Sequence, residues 1–258
     1  MPVQAAGGNR STRWSSSLIL RYVDSGQVIS VNTGRAVEVG WAGRLQRTAI
    51  EKHPAEGAVH VGRLGLDGDE QADLENHGGP EQAIYVYARE DLDWWAGQLR
   101  WAVRDGMFGE NITTAGLDVT NALIGERWRL GTAEVQITSP RIPCGTFRSW
   151  TGEKGWVKRF AQAGRPGAYL RVLAEGIVRP GDPVTVLSRP AVRVTVAESM
   201  RAFYGDRELL VRLSAVPERS SKWDITVTGG GDQLVPGPAT PATPATPAGP
   251  AGPAGPAR

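Results

Sequence analysis

Ala133-Glu134-Val135-Gln136-Ile137-Thr138-Ser139-Pro140-Arg141-Ile142-Pro143-Cys144-Gly145 is the stretch from which the rest of the chain can be read. Its first half alternates with a period of two, as a strand with one buried face does. Pro140 and Pro143 carry no amide hydrogen, so they are expected to stop the ladder and leave Cys144 on a stiff loop just past a strand end. Cys144 is the one cysteine in 258 residues, which rules out an intramolecular disulfide. Its value is therefore packing or chemistry. The guanidinium of Arg141 nearby favours thiolate, the form that attacks or ligates metal. On these residues alone, a reactive thiolate and a buried structural thiol both stay open.

Working outward, Trp128 and Leu130 face Ala133, Val135 and Ile137 across a turn at Gly131, which predicts a hairpin feeding the cysteine loop. Beyond it, Trp156, Val157, Phe160 and Ala161 have the spacing of a short helix, broken by Gly164-Arg165-Pro166-Gly167. Strands are expected over Ala168–Leu173 and Val184–Leu187, joined by a turn near Pro180-Gly181-Asp182. Toward the N-terminus, Val28–Asn32, a hairpin across Ala42-Gly43, Val59–Leu64 and Ala83–Tyr87 read as further strands. Leu92, Trp95, Ala96 and Leu99 fall on one face of a helix over about 90–100. A polar run, Gly65 to Asp73 and then His77-Gly78-Gly79-Pro80, has glycines that allow close approach of backbone to a ligand.

The chain divides into a leader (1–26), a β-rich domain (27–190), a small helical module (191–228) and a Pro/Ala/Gly-rich tail expected to be disordered (229–258). In the module, Thr195 and Glu198 form a capping-box pattern and Asp206 can cap a second helix. A third helix could open at Val216-Pro217-Glu218 but cannot run far before Gly229-Gly230-Gly231. The fold class is mainly β with short helices (α+β), a mixed β-barrel rather than a βαβ fold. With a formal net charge of +2 and interleaved signs, nothing favours nucleic acid. No apolar run approaches the roughly 20 residues of a membrane helix. One cysteine and no export signal lead to the expectation of a cytoplasmic protein, monomer or homodimer.

The order of motifs carries a resemblance. Gly65-Leu66-x-Gly68-Asp69-Glu70-Gln71-Ala72, His77-Gly78-Gly79-Pro80, Phe108-Gly109-Glu110-Asn111, Ile124-Gly125, Pro140-Arg141-x-Pro143-Cys144 and Gly167-x-Tyr169-x-Arg171-Val172 together resemble the MOSC-domain proteins, specifically the YiiM-like branch. The resemblance runs from about Val28 to Ser188, and Val194 to Trp223 is similar to the three-helix module of that branch, with its last helix truncated. It implies a MOSC-type β-barrel that binds molybdenum cofactor, with Cys144 as the protein's ligand to the metal, since molybdenum favours soft sulfur. At family level it also implies pyridoxal phosphate binding. The activity it implies is reduction of N-hydroxylated compounds, such as hydroxylaminopurines, to amines. One cysteine cannot hold an iron–sulfur cluster and no flavin motif is present, so electrons would come from a separate flavin or ferredoxin-type reductase. A cysteine-persulfide sulfur carrier and a non-catalytic cofactor-binding protein are the alternatives.

Catalytic candidates are Cys144, His77 and Asn111. Cofactor-binding candidates are Arg141, Asp69, Glu70, Gln71, Arg171, Gly78 and Gly79. A guanidinium fork suits phosphate, which puts Arg141 and Arg171 on the cofactor. His77 could shuttle a proton near working pH or simply fix its loop. Asp69, Glu70 and Gln71 could accept from pterin N–H groups or be ordinary turn residues. Asn111 is a polar contact near the metal or a turn cap, and Tyr169 is expected in the core.

Overall fold

The computed structural model describes residues 25–74 and 77–224. The tail, residues 225–228 of the module and all but the last two residues of the leader lie outside them.

Thirteen strands and five α-helices are described. They are β1 (Ser25–Thr33), β2 (Val37–Glu38), β3 (Arg47–Thr48), β4 (His53–Pro54), β5 (Val59–Gly62), β6 (Gly65–Leu66), β7 (Ile84–Ala88) and α1 (Arg89–Ala96). Then come β8 (Ile112–Ala115), β9 (Arg127–Leu130), β10 (Ala133–Pro140), α2 (Gly145–Thr151), α3 (Trp156–Ala163), β11 (Ala168–Ala174), β12 (Gly176–Val178), β13 (Pro183–Ser188), α4 (Val196–Phe203) and α5 (Arg207–Ser214). Strand order β13-β9-β10-β11-β7-β8-β1 closes through pairing of β1 with β13, giving a seven-stranded barrel with β4 appended to β1. Closure leaves no open edge among these seven strands. Six of its pairings are antiparallel and one, β7 with β8, is parallel. The parallel pair needs a crossover, which α1 and the loop after it supply.

Alternation on the strands sorts side chains into two cores. Ile84, Val86, Ala88, Leu170, Val135, Ile137 and Trp128 fill the lumen with aliphatic and indole surface. Tyr85, Tyr87 and Tyr169, the out-of-phase residues of β7 and β11, face the other way into an aromatic cluster with Trp95, Phe108, Phe147, Trp156 and Phe160. Strand β7 is buried at every position because both its faces are covered. Each fully buried large side chain here contributes roughly 1.5–3 kcal/mol of transfer free energy. Gly167 marks a close crossing: it takes a φ of +64°, and an added Cβ would meet Val86 O at 2.6 Å.

The expected hairpin is present, with Val135 opposite Trp128 and Ala133 opposite Leu130. The ladder ends at Pro140 as expected, the last residue of β10, opposite Ala168, where its missing amide hydrogen costs little. Cys144 closes the short segment just past that strand end, and it is also the N-cap of α2, a helix that the alternation argument did not anticipate. The 42–43 hairpin survives as the two-residue strands β2 and β3 around a 3-10 turn, Gly43–Leu45. In the module, the Thr195/Glu198 capping box forms and Asp206 caps α5. Val194, Val196, Leu209, Leu213 and Trp223 join the barrel's own hydrophobic cluster, so module and barrel share one core. Among the described residues, no helix is long and apolar enough to cross a membrane.

Candidate active site

A cavity of about 430 Å³ lies against the outer, aromatic side of the barrel wall. The cavity stands outside the lumen, which the aliphatic core fills. Its lining brings together Asp69, Glu70, Gln71, His77, Gly78, Asn111, Arg141 and Cys144 from segments far apart in the chain. Of the sequence candidates, Gly79 and Arg171 do not line it.

Cys144 is partly buried, and its Sγ accepts from the Phe147 amide at 3.5 Å. Burial alone would raise this thiol. The hydrogen bond with His77, the charge of Arg141 and the Phe147 amide outweigh it and bring the thiol down to about 6. The group is therefore mostly thiolate at neutral pH. Arg141 is buried, with its guanidinium over the rings of Phe147 (4.5 Å) and Tyr85 (5.2 Å). It donates to the Tyr169 hydroxyl at 3.4 Å, while its Nε meets no hydrogen-bond partner. Among the described residues no carboxylate pairs with it. The charge that faces it from the cavity is the Cys144 thiolate, and each group favours the charged form of the other.

Asp69 and Asn111 are spent on the fold. Asp69 accepts from Gly34 N at 2.8 Å and Asn111 Nδ2 at 2.8 Å, and pairs with the buried Lys52 ammonium. Asn111 Oδ1 accepts from Tyr85 N at 3.1 Å, so both ends of its amide are engaged. Asn111 and Asp69 therefore brace the fold at the same place where they line the cavity. Glu70 accepts from Ala36 N at 2.9 Å and pairs with Arg35 and Arg47 at the rim. Gln71 donates to Leu64 O and accepts from Gly79 N, both at 2.9 Å, which shapes the His77 loop. Arg171 points away: it pairs with Glu81 at 3.1 Å and donates to the carbonyls of Glu218 and Arg219, so it is not placed to hold a phosphate in the cavity.

Sequence reasoning missed Lys52, Tyr85 and Trp41, and placed Tyr169 in the core alone; all four line the cavity. Lys52 has no motif around it. Tyr85 and Tyr169 could have been found from strand parity, since each lies out of phase with the aliphatic residues of its strand. Trp41 stacks on Trp150 at 6.0 Å and forms one side of the opening.

With this geometry in view, comparisons with known proteins agree on a family. The MOSC domain profile matches residues 73–185. YflK of Bacillus subtilis (strain 168) is 37% identical over 212 residues, covering 81% of this chain and 96% of that protein. Protein YiiM of Escherichia coli (strain K12) is 31% identical over 186 residues, covering 70% of this chain and 83% of that protein. A Gibberella moniliformis protein named Reductase is 31% identical over 180 residues, 68% of this chain but 32% of the fungal protein. The crystal structure of YiiM from Geobacillus stearothermophilus superposes with a TM-score of 0.66 at 27% identity, over 78% of this chain and 97% of that one. The chain belongs to the MOSC-domain family, in its YiiM-like branch.

Proposed function

We propose that the chain holds a molybdenum cofactor against Cys144 and reduces N-hydroxylated small molecules, hydroxylaminopurines among them, to amines, with electrons from a separate flavin or ferredoxin-type reductase. One observation carries this reading. A cysteine held as thiolate and a buried arginine with no carboxylate share one cavity wall.

The residues fit such a group on their own chemistry. Cys144 offers the soft sulfur that molybdenum favours. Arg141 has no carboxylate partner among the described residues, and its unpartnered Nε is a donor that an anionic ligand could fill. A molybdenum pterin supplies two-electron redox chemistry and affinity for oxygen when bound. The chain's part is to hold, orient and protonate. His77 lines the same cavity as Cys144 and could supply the proton needed once an N–O bond breaks. Arg141 keeps the sulfur anionic, and Tyr169 fixes Arg141. Trp41, backed by Trp150, gives the cavity an aromatic face against which a planar base could rest. The relative named Reductase is consistent with an oxidoreductase.

The test is molybdenum content of the purified chain and of Cys144→Ser, followed by anaerobic reduction of an N-hydroxylaminopurine with an artificial donor. Stoichiometric metal and turnover in wild type, both lost in C144S at unchanged melting temperature, are the expected results. Metal without turnover on any N-hydroxylated compound would sink the reductase. The same thiolate would also suit a persulfide-bearing sulfur carrier. That second reading predicts little metal and a sulfur-sized mass gain on Cys144.

A further inference from the structure

Cys144 and His77 come from separate segments, and the end of the helical module ties those segments together. His77 precedes the 3-10 turn Pro80–Gln82. Cys144 follows β10, which carries Thr138. One direct link joins them, from Thr138 Oγ1 to Glu81 O at 2.6 Å. Further links run through Ser220-Ser221-Lys222. Ser220 N donates to Thr138 O at 3.0 Å, on the cysteine side. On the histidine side, Glu81 Oε2 accepts from Ser220 Oγ at 2.9 Å, Ser221 N at 2.8 Å and Ser221 Oγ at 2.7 Å. Lys222 Nζ donates to Gln82 Oε1 at 2.8 Å. The same Gln82 oxygen accepts from Gly78 N at 3.2 Å, one residue from His77. Arg171 completes the arrangement by bonding Glu81 Oε1 and the carbonyls of Glu218 and Arg219 together.

We infer that the Ser220–Lys222 turn is a positioning element for the Cys144–His77 pair. The His77 loop is pinned before the histidine by its own amide, which donates to Asp73 O at 2.8 Å. After the histidine it is held by Gln71 at Gly79 and by Gln82 at Gly78. The Gln82 hold depends on the turn, because Ser220, Ser221 and Lys222 supply donors to Glu81 and Gln82. Releasing them would loosen the Pro80–Gln82 turn and shift His77 relative to Cys144 in the cavity lining that the two share. This gives the helical module a part in the site although none of its residues lines the cavity. That the pair performs chemistry rests on the reading above; that the turn holds the pair does not.

The chain has three histidines, so each imidazole can be followed separately in cofactor-free, full-length protein labelled with 15N-histidine. His53 and His60 are internal controls, engaged with Glu51 and Asp67. Ser221→Asp sets a carboxylate against that of Glu81 at an exposed position. The expected result is a displaced or broadened His77 imidazole signal, with His53 and His60 unmoved. Adding Glu81→Gln, a carboxamide that can donate to the new carboxylate, should return the signal. An unmoved His77 signal in S221D overturns the proposal, whatever the melting temperature does. Should S221D fail to fold, Ser221→Ala removes one donor and is read in the same way. In cofactor-loaded protein, S221D should lower kcat several-fold with little change in KM. A displaced His77 with unchanged kcat upholds the positioning role and removes His77 from the proposed chemistry.

Discussion

The carboxamide of Gln71 occupies the space that a side chain on Gly78 would need. A Cβ added there would lie 3.0 Å from Gln71 Cδ and nearer still to Oε1, and Gly78 has a φ of +143° that L side chains rarely adopt. Gln71 in turn holds Gly79 N and Leu64 O. The two residues are one device for shaping the His77 loop. Gly78→Ala should therefore cost about 1–3 kcal/mol from backbone strain and collision together. Adding Gln71→Ala should recover the collision but not the strain. Melting temperatures of the two single variants and the double one check this, and a G78A protein as stable as wild type would count against it.

Lys52 and Asp69 should respond unequally to removal. Their side chains are 7% and 5% exposed. Asp69→Ala leaves the Lys52 ammonium buried near Arg141 with no partner, and breaking such a pair costs about 3–5 kcal/mol. In Lys52→Met, Asp69 keeps its bonds to Gly34 N and Asn111 Nδ2, and a methionine fills the space of the lysine stem. The expected order of stability by denaturant unfolding is wild type, then K52M, then D69A. Burial lowers the Lys52 pKa, with Asp69 opposing that, so the loss in D69A should be smaller at high pH, where the ammonium can shed its proton.

The strands were legible because their signals are local. Val135 and Ile137 alternate, and Gly131 sits where a hairpin turn is needed, so the pairing with Trp128 followed from spacing. The cysteine came out of the same stretch. What spacing could not supply was what each polar side chain is already bonded to. Asp69, Asn111 and Arg171 have the right chemistry for a ligand, yet the side chains of all three are engaged by groups at least 17 residues away in sequence. Lys52 is the converse case: nothing near it in sequence marks it, and only the fold sets it against Asp69, with Glu110 and Arg141 close by. Helix α2 was missed because Pro140 and Pro143 read as breakers, whereas the helix begins just after them at Gly145.

Cys144 should titrate well below an ordinary thiol. Burial pushes it up, while the His77 hydrogen bond, Arg141 and the Phe147 amide bring it to about 6. In cofactor-free protein, thiolate absorbance near ~240 nm or the rate of alkylation against pH should show a midpoint near that value. Arg141→Met and His77→Ala should each move the midpoint up, by removing a positive neighbour and a hydrogen bond respectively. A wild-type midpoint close to 9, the ordinary value for a thiol, would show that the sulfur is not held as thiolate.

Glu110 should make stability fall as pH rises from mildly acidic to neutral. It is fully buried, which lifts it from 4.5 to about 7 although it accepts from Gly106 N at 2.6 Å and Phe108 N at 2.9 Å. Between those two pH values the folded chain keeps a proton on Glu110 that the unfolded chain has lost. Folding there takes up a proton, so each step up in pH weakens the fold, and the loss is complete above the folded pKa. The total is on the order of 3 kcal/mol for a shift of this size. Glu110→Gln replaces one acceptor by a donor facing a backbone N–H, so it should be less stable overall but lack this pH dependence. Denaturant unfolding of wild type and E110Q at acidic and neutral pH gives the comparison. Equal slopes with pH in the two proteins would mean that Glu110 stays ionised in the folded chain throughout, with the Gly106 and Phe108 amides winning over burial.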